Sequence, residues 1–162
     1  MLTKTLRFLN IILAALLAGT SFGIWIGFNP VNFSPSTYLE VQQNTIRVLN
    51  TLMVSLVIIA TIITIVFAFL QRKDKHAFVA LLVAAAFFVA CIVISRFGNQ
   101  PINDSMMTWN TNSLPANWII LRDKWWSFHI MRTITELIAL SLITWTSIKK
   151  GNITTANTIL AK

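Results

Sequence analysis

Apolar residues run almost unbroken through this chain, and the polar ones gather in a few short stretches. Apolar runs of about 18 or more residues predict helices that cross a membrane. Four spans are predicted, at about residues 6–28, 45–70, 77–96 and 129–148. A short charged turn, Gln71 to His76, joins the second and third; polar loops are predicted at 29–44 and 97–115. The first loop carries Asn29-Pro30 and Ser34-Pro35, which are turn signals, and leaves room for a short helix around Tyr38 to Gln43. The last helix is expected from about Ala116 to Lys150, roughly 50 Å at about 1.5 Å per residue. A hydrocarbon core is about 30 Å thick, so the first turns of that helix should project beyond the outer face or bend along the interface. The tail from Gly151 to Lys162 is read as a loose end whose Thr and Ala residues would tolerate helix. The expected fold class is all-α: a polytopic membrane four-helix bundle, one domain over residues 1–162, with a long fourth helix.

Within the first span Ala15, Gly19, Gly23 and Gly27 recur every four residues. Such a small-residue face lets another helix approach closely, so it is expected to pack within the bundle or against a second copy of the chain. Lys4 just before this span and Arg7 at its start resemble the basic end of a signal peptide, but the apolar core is too long and no convincing small-residue cleavage site ends it, so an uncleaved first helix is expected.

Composition agrees with the membrane reading. The chain of 162 residues is 56% hydrophobic and 11% charged, against about 25% charged in soluble domains. Its net charge of +8 is sorted by side rather than gathered as a nucleic-acid footprint, and no nucleic-acid partner is expected. With the N-terminus placed in the cytoplasm, inner segments hold eight basic residues (Lys4, Arg7, Arg72, Lys73, Lys75, Lys149, Lys150, Lys162) against Asp74, a net of +7. The outer half holds Arg47, Arg96, Arg122, Lys124 and Arg132 against Glu40, Asp104, Asp123 and Glu136, a net of +1. The bias predicts a multi-pass protein of the cell (inner) membrane with both termini cytoplasmic. The single cysteine, Cys91, rules out an intrachain disulfide, and with two histidines it makes too small a ligand set for an ordinary zinc or iron–sulfur site. A Gly-rich phosphate loop, a dinucleotide fingerprint and a nucleophile elbow are absent.

The chemistry gathers at residues 117–136, NWIILRDKWWSFHIMRTITE. Trp118, Arg122, Trp125, His129, Arg132 and Glu136 follow one another at steps of four and three, the rhythm of one helical face. Depth places partners beside them. Counting about 20 residues outward from each inner boundary reaches Asn50 on the second span, Arg96 on the third and His129 on the fourth. Arg47 lies just above that level; Arg132 lies just below it, and Glu136 deeper. Rare polar residues at one depth on three spans predict a shared pocket near the outer interface. Snorkelling to headgroups accounts equally well for Arg47 and Arg96, and an interfacial aromatic belt for the tryptophans. Among these arginines His129 is expected to be neutral and thus a competent general base. The arginines would stabilise an enolate or phenolate. Trp118, Trp125 and Trp126 would stack on a flat substrate, although Trp126 points to a different helical face. Glu136 is expected to hold Arg132, four residues earlier. His76 lies among lysines and is assigned no role.

Asn99-x-Pro101-x-Asn103, then Trp109, then Trp118, Arg122, Trp125, His129 and Arg132 resemble the pattern of the anthrone oxygenase-like family of small four-span membrane proteins. The layout is similar over the whole chain, and the detailed motif over residues 99–132. The resemblance implies an anthrone-type monooxygenase working with molecular oxygen and without metal or flavin; no cofactor is expected. His129 would remove the benzylic proton and Trp109, Trp118 and Trp125 would flank the ring. Asn103, Arg122 and Arg132 would bind its oxygens; independently of the resemblance, the depth reading adds Asn50 and Arg96 to the pocket, with Arg47 and Glu136 in support. The other class left open is a non-catalytic membrane protein that binds a small hydrophobic or quinone-like molecule or serves as an accessory subunit. A haem held by His129 is weaker, because no second histidine lies at suitable depth.

Overall fold

The computed structural model describes residues 2–111 and 113–160, with the side chains of residues 3–111 and 113–148. The described chain is helical almost throughout. In order it comprises α1 (Leu2–Gly27), a 3-10 turn (Pro30–Asn32), α2 (Pro35–Leu70), α3 (Lys75–Ile94), a π turn (Ser95–Asn99), α4 (Gln100–Met106) and α5 (Trp118–Leu160). Three helical stretches, Thr3–Asn32, Pro35–Leu70 and Lys75–Met106, are long and apolar enough to cross a membrane, which marks the chain as a membrane protein.

Local signals account for the helix starts. Ser34 caps α2, its hydroxyl accepting from Thr37 N–H, with Pro35 in the first helical position where a missing N–H costs nothing. Asp74 caps α3 in the same way through Ala77 N–H. The Ser34-Pro35 pair, expected as a turn within a loop at 29–44, is thus the start of a 36-residue helix. The loop expected at 97–115 is likewise helical to Met106, because Pro101 sits in the first turn of α4, where proline is tolerated. Residues 151–160 continue α5, and the last two tail residues lie outside the described ones.

Each of the four long helices packs against two others, in the cyclic order α1, α2, α3, α5 and back to α1. Alanines make the close approaches: Ala14, Ala60, Ala68, Ala84 and Ala139 are fully buried in one core that runs along all four helices. Asn10 of α1 accepts a hydrogen bond from the Thr64 hydroxyl of α2 at 2.7 Å, both fully buried. The glycine face expected to pack within the bundle does not. Ala15, Gly19, Gly23 and Gly27 are not among the buried residues of α1, and a Cβ on any of the three glycines would meet nothing within 4 Å. The buried row of α1 is Ala14, Leu17, Ala18 and Ser21, displaced around the helix from the glycines. In a helix that is apolar all round, small residues alone do not reveal which face is covered. A second cluster, built on Tyr38, Leu39, Ile102, Met106, Trp109 and Trp125, caps the core at the end where α4 meets α5.

Candidate functional site

The site begins with Pro101. It has no N–H to give the carbonyl of Phe97, and its ring would crowd that oxygen in a regular helix. The π turn just before it removes the conflict: Gln100 N–H donates to the Ser95 carbonyl, five residues back. Gly98 lets this turn lie against α5, because a Cβ there would fall 2.6 Å from Cγ of Phe128. Along this stretch Cys91, Ser95, Asn99 and Asn103 recur every four residues and all face one cavity.

That cavity has a volume of about 70 Å³. Leu17 and Ile24 of α1 form one side, and Leu49, Asn50 and Met53 of α2 another. The polar row from Cys91 to Asn103 faces Trp125, Arg132 and Glu136 of α5. Trp125 is fixed at both ends: its indole N–H donates to Asn103 Oδ1 at 2.7 Å, and Asn99 Nδ2 donates to its carbonyl at 3.0 Å. Asn99 Oδ1 is buried without a partner.

His129 is fully buried and stands behind this wall rather than on it. Trp125 lies nearly parallel to its ring, centroids 5.2 Å apart. Trp126 does the same at 5.5 Å, although helical spacing puts it on a different face from Trp125. Arg132 approaches Nδ1 with Nε at 3.3 Å and a terminal nitrogen at 3.1 Å, while Nε2 lies 3.1 Å from the Ser21 carbonyl. A guanidinium only donates and a carbonyl only accepts. His129 is therefore the neutral tautomer with its proton on Nε2, donating to Ser21, and its Nδ1 lone pair is taken up by Arg132.

Glu136 is fully buried. The Cys91 thiol donates to its Oε1 at 3.1 Å, and Oε2 has no hydrogen-bond partner. The expected contact with Arg132 does not form: among the described residues the one ion pair within 4.0 Å is Arg122 with Asp123, at 2.8 Å. Helical side chains lean toward the N-terminus, so Arg132 reaches back to His129. Arginine placed before glutamate is also the poorer order for a helical pair.

Of the residues predicted for the site, Asn50, Asn103, Trp125, Arg132 and Glu136 meet at the cavity. Trp109, Trp118 and Arg122 belong to the capping cluster instead. The guanidinium of Arg122 lies 5.4 Å from the Trp118 ring centroid, and Tyr38 packs on the same indole at 5.9 Å. Arg47 and Arg96 lie off the cavity wall. Arg96 follows Ser95, which points inward, and a step of one residue turns it about 100° away. Sequence reasoning passed over Cys91, Ser95 and Asn99 as wall residues, although their four-residue spacing with Asn103 was there to find. Ser21 carried no signal, because it acts through its backbone carbonyl.

Among the described residues no group of three or more His, Cys, Asp or Glu side chains is placed to hold a metal ion. In comparisons with known proteins, a family model described as anthrone oxygenase matches residues 43–142, well over half of the chain. No curated protein and no solved structure matches. The matched stretch holds every cavity-wall residue except Leu17 and Ile24.

Proposed function

This chain belongs to the anthrone oxygenase family, and from that premise we propose that it is a membrane-embedded oxygenase acting on a flat, apolar, anthrone-like aromatic. One observation carries the reading: the family match spans the cavity walls contributed by α2, α3, α4 and α5, so the shared sequence and the cavity coincide. The reaction would turn a ring methylene with acidic hydrogens into a ketone. One molecule of dioxygen is consumed for each methylene; one of its oxygen atoms becomes the carbonyl oxygen and the other leaves as water with both methylene hydrogens. Loss of one proton leaves an enolate whose electron pair can form the bond to oxygen, and expulsion of water completes the carbonyl. The electron-rich anion reacts with oxygen itself, so the reading needs neither metal nor flavin. Arg132 would face the anionic oxygen. Trp125 would offer its flat surface to the ring, and Asn50 a polar edge. His129 would hold Arg132 in place from behind the wall.

The proposal includes four spans, with both termini in the cytoplasm and the start of α5 on the outer side. Exposed Ile138, Trp145 and Ile148 on α5 support a fourth lipid-facing helix, and the charge bias supports the orientation. The cavity lies below the roughly 300 Å³ where ligand pockets begin. It has room for dioxygen and one edge of a ring at most, and its walls would have to part for a whole tricycle. That size is the one feature favouring a second reading, a non-catalytic binder of a small hydrophobic or quinone-like molecule. An oxygen electrode tests the choice with purified chain in nanodiscs, chelator present, and anthrone as substrate. Uptake of one oxygen per anthrone converted to anthraquinone is expected. Uptake no faster than with empty nanodiscs, together with quenching of tryptophan fluorescence by anthrone, would replace the oxygenase with the binder.

A further inference from the structure

Two opposite charges face the cavity without closing into an ion pair. Arg132 is turned toward His129 Nδ1, and Glu136 Oε1 is held by the Cys91 thiol. Each side chain is thus held by a neutral neighbour, so that no N–O distance within 4.0 Å joins them and Arg132 acts on the carboxyl only across a gap. What this leaves is unusual for a protein interior: a fully buried carboxyl whose second oxygen has no hydrogen-bond partner, on the wall of a cavity. Ser21 on α1 is near enough to interact with that carboxyl, yet neither its hydroxyl nor Glu136 Oε2 has a hydrogen-bond partner. Asn99 Oδ1, on the same wall, is a second buried acceptor left open. Buried acceptors without donors are costly, on the order of 1–3 kcal/mol each, and a ligand that supplies a donor removes the cost.

His129 lacks the same freedom. Both its nitrogens are engaged and it does not reach the wall. To take a proton from a bound molecule it would first have to surrender Arg132. We propose that Glu136 is the proton acceptor of this cavity and that His129 is a positioning residue acting through Arg132. The proposal rests on the oxygenase reading for its substrate class. The C–H bond of the substrate breaks, the proton goes to Oε2, and the electron pair delocalises onto the substrate oxygen, which faces Arg132. Before the transfer Arg132 compensates the carboxylate; afterwards it compensates the enolate. The net charge of the buried group is unchanged, and that lowers the cost of the step in a desolvated site. The Cys91 thiol, by occupying Oε1, leaves Oε2 as the oxygen that receives the proton.

The test separates proton transfer from oxygen chemistry. Anthrone is incubated in heavy water without oxygen, and exchange of its methylene hydrogens is followed by NMR. Wild-type chain is expected to accelerate exchange. Glu136→Gln should lower the rate about a hundredfold or more, the usual worth of a general base, and Glu136→Asp should keep part of it. His129→Gln should lose about tenfold or less, since the base remains and only the placement of Arg132 is loosened. Exchange that persists in Glu136→Gln, or that is lost in His129→Gln and untouched in Glu136→Asp, would return the base to His129 and overturn the proposal. Thermal melting checks that each variant folds. If Glu136→Gln does not, a wild-type rate in Glu136→Asp is the overturning result, because the shortened carboxylate cannot reach equally well. Oxygen uptake is read in parallel. Wild-type exchange without uptake sinks the oxygenase and keeps Glu136 as proton acceptor. Uptake that survives Glu136→Gln keeps the oxygenase and sinks Glu136. Wild-type chain that does neither defeats both.

Discussion

At the scale of single residues, the site is held by hydrogen bonds rather than by ion pairs. Asn103 matters because Trp125 is only 5% exposed and its indole N–H donates to Asn103 Oδ1 at 2.7 Å. Asn103→Leu, close in volume, strands that N–H and should lower stability by about 1–3 kcal/mol, read as a fall in melting temperature in detergent. Asn103→Asp, which keeps an acceptor, should lose less. An equal loss in both variants would mean that the hydrogen bond is not what Asn103 contributes. Much of this scale was legible in the sequence: the four-and-three rhythm from Trp125 through His129 and Arg132 to Glu136 does describe one face. Which member of that face touches the cavity was not, because helical spacing fixes direction to within a sector and not reach. Arg132 is long enough to arrive at the wall, and the shorter His129 ring is covered by it and by two indoles.

At the scale of elements, the glycines divide sharply. Gly98 allows the π turn to touch Phe128, while Gly23 faces outward with nothing near it. Gly98→Ala should therefore cost about 1–3 kcal/mol by overpacking, and Gly98→Ala combined with Phe128→Leu should recover part of it. Gly23→Ala should leave stability unchanged or raise it by up to about 1 kcal/mol, the helix-propensity gain. Melting curves of the three proteins check both statements; a destabilised Gly23→Ala would mean that this face is covered in solution. Three long apolar helices could be read directly from the sequence, because length and hydropathy set them. The face of α1 could not, because lipid and a helix neighbour are both apolar. The helix at 97–106 was hidden by its Gly, Asn and Pro content, which signals a loop until the π turn is seen to accommodate it.

At the scale of the whole molecule, counting about 20 residues outward from each inner boundary put Asn50, Arg96 and His129 at one level. Of the three, Asn50 lines the cavity, while His129 stands behind its wall and Arg96 lies off it. The count missed which side chain of α3 turns inward, since Ser95 and Arg96 differ by one position and the π turn alters the phase there. Charge bias predicts the orientation: a protease-cleavable tag placed after Lys162 should resist external protease on intact cells and be cut after lysis, whereas cutting on intact cells would reverse the topology.

That oxidation happens inside this cavity is the central claim, and blocking the cavity without touching its charged groups tests it most directly. Leu49 of α2 lines the cavity, while Leu52 of the same helix points away from it and is 50% exposed. Oxygen uptake with anthrone is measured for Leu49→Trp and Leu52→Trp in nanodiscs, with melting temperatures to match. Leu49→Trp should lose activity by about tenfold or more, as displacement of a bound substrate by even about 1 Å can do, while Leu52→Trp keeps the wild-type rate. Equal rates in the two variants, both folded, would contradict the account and place the chemistry elsewhere.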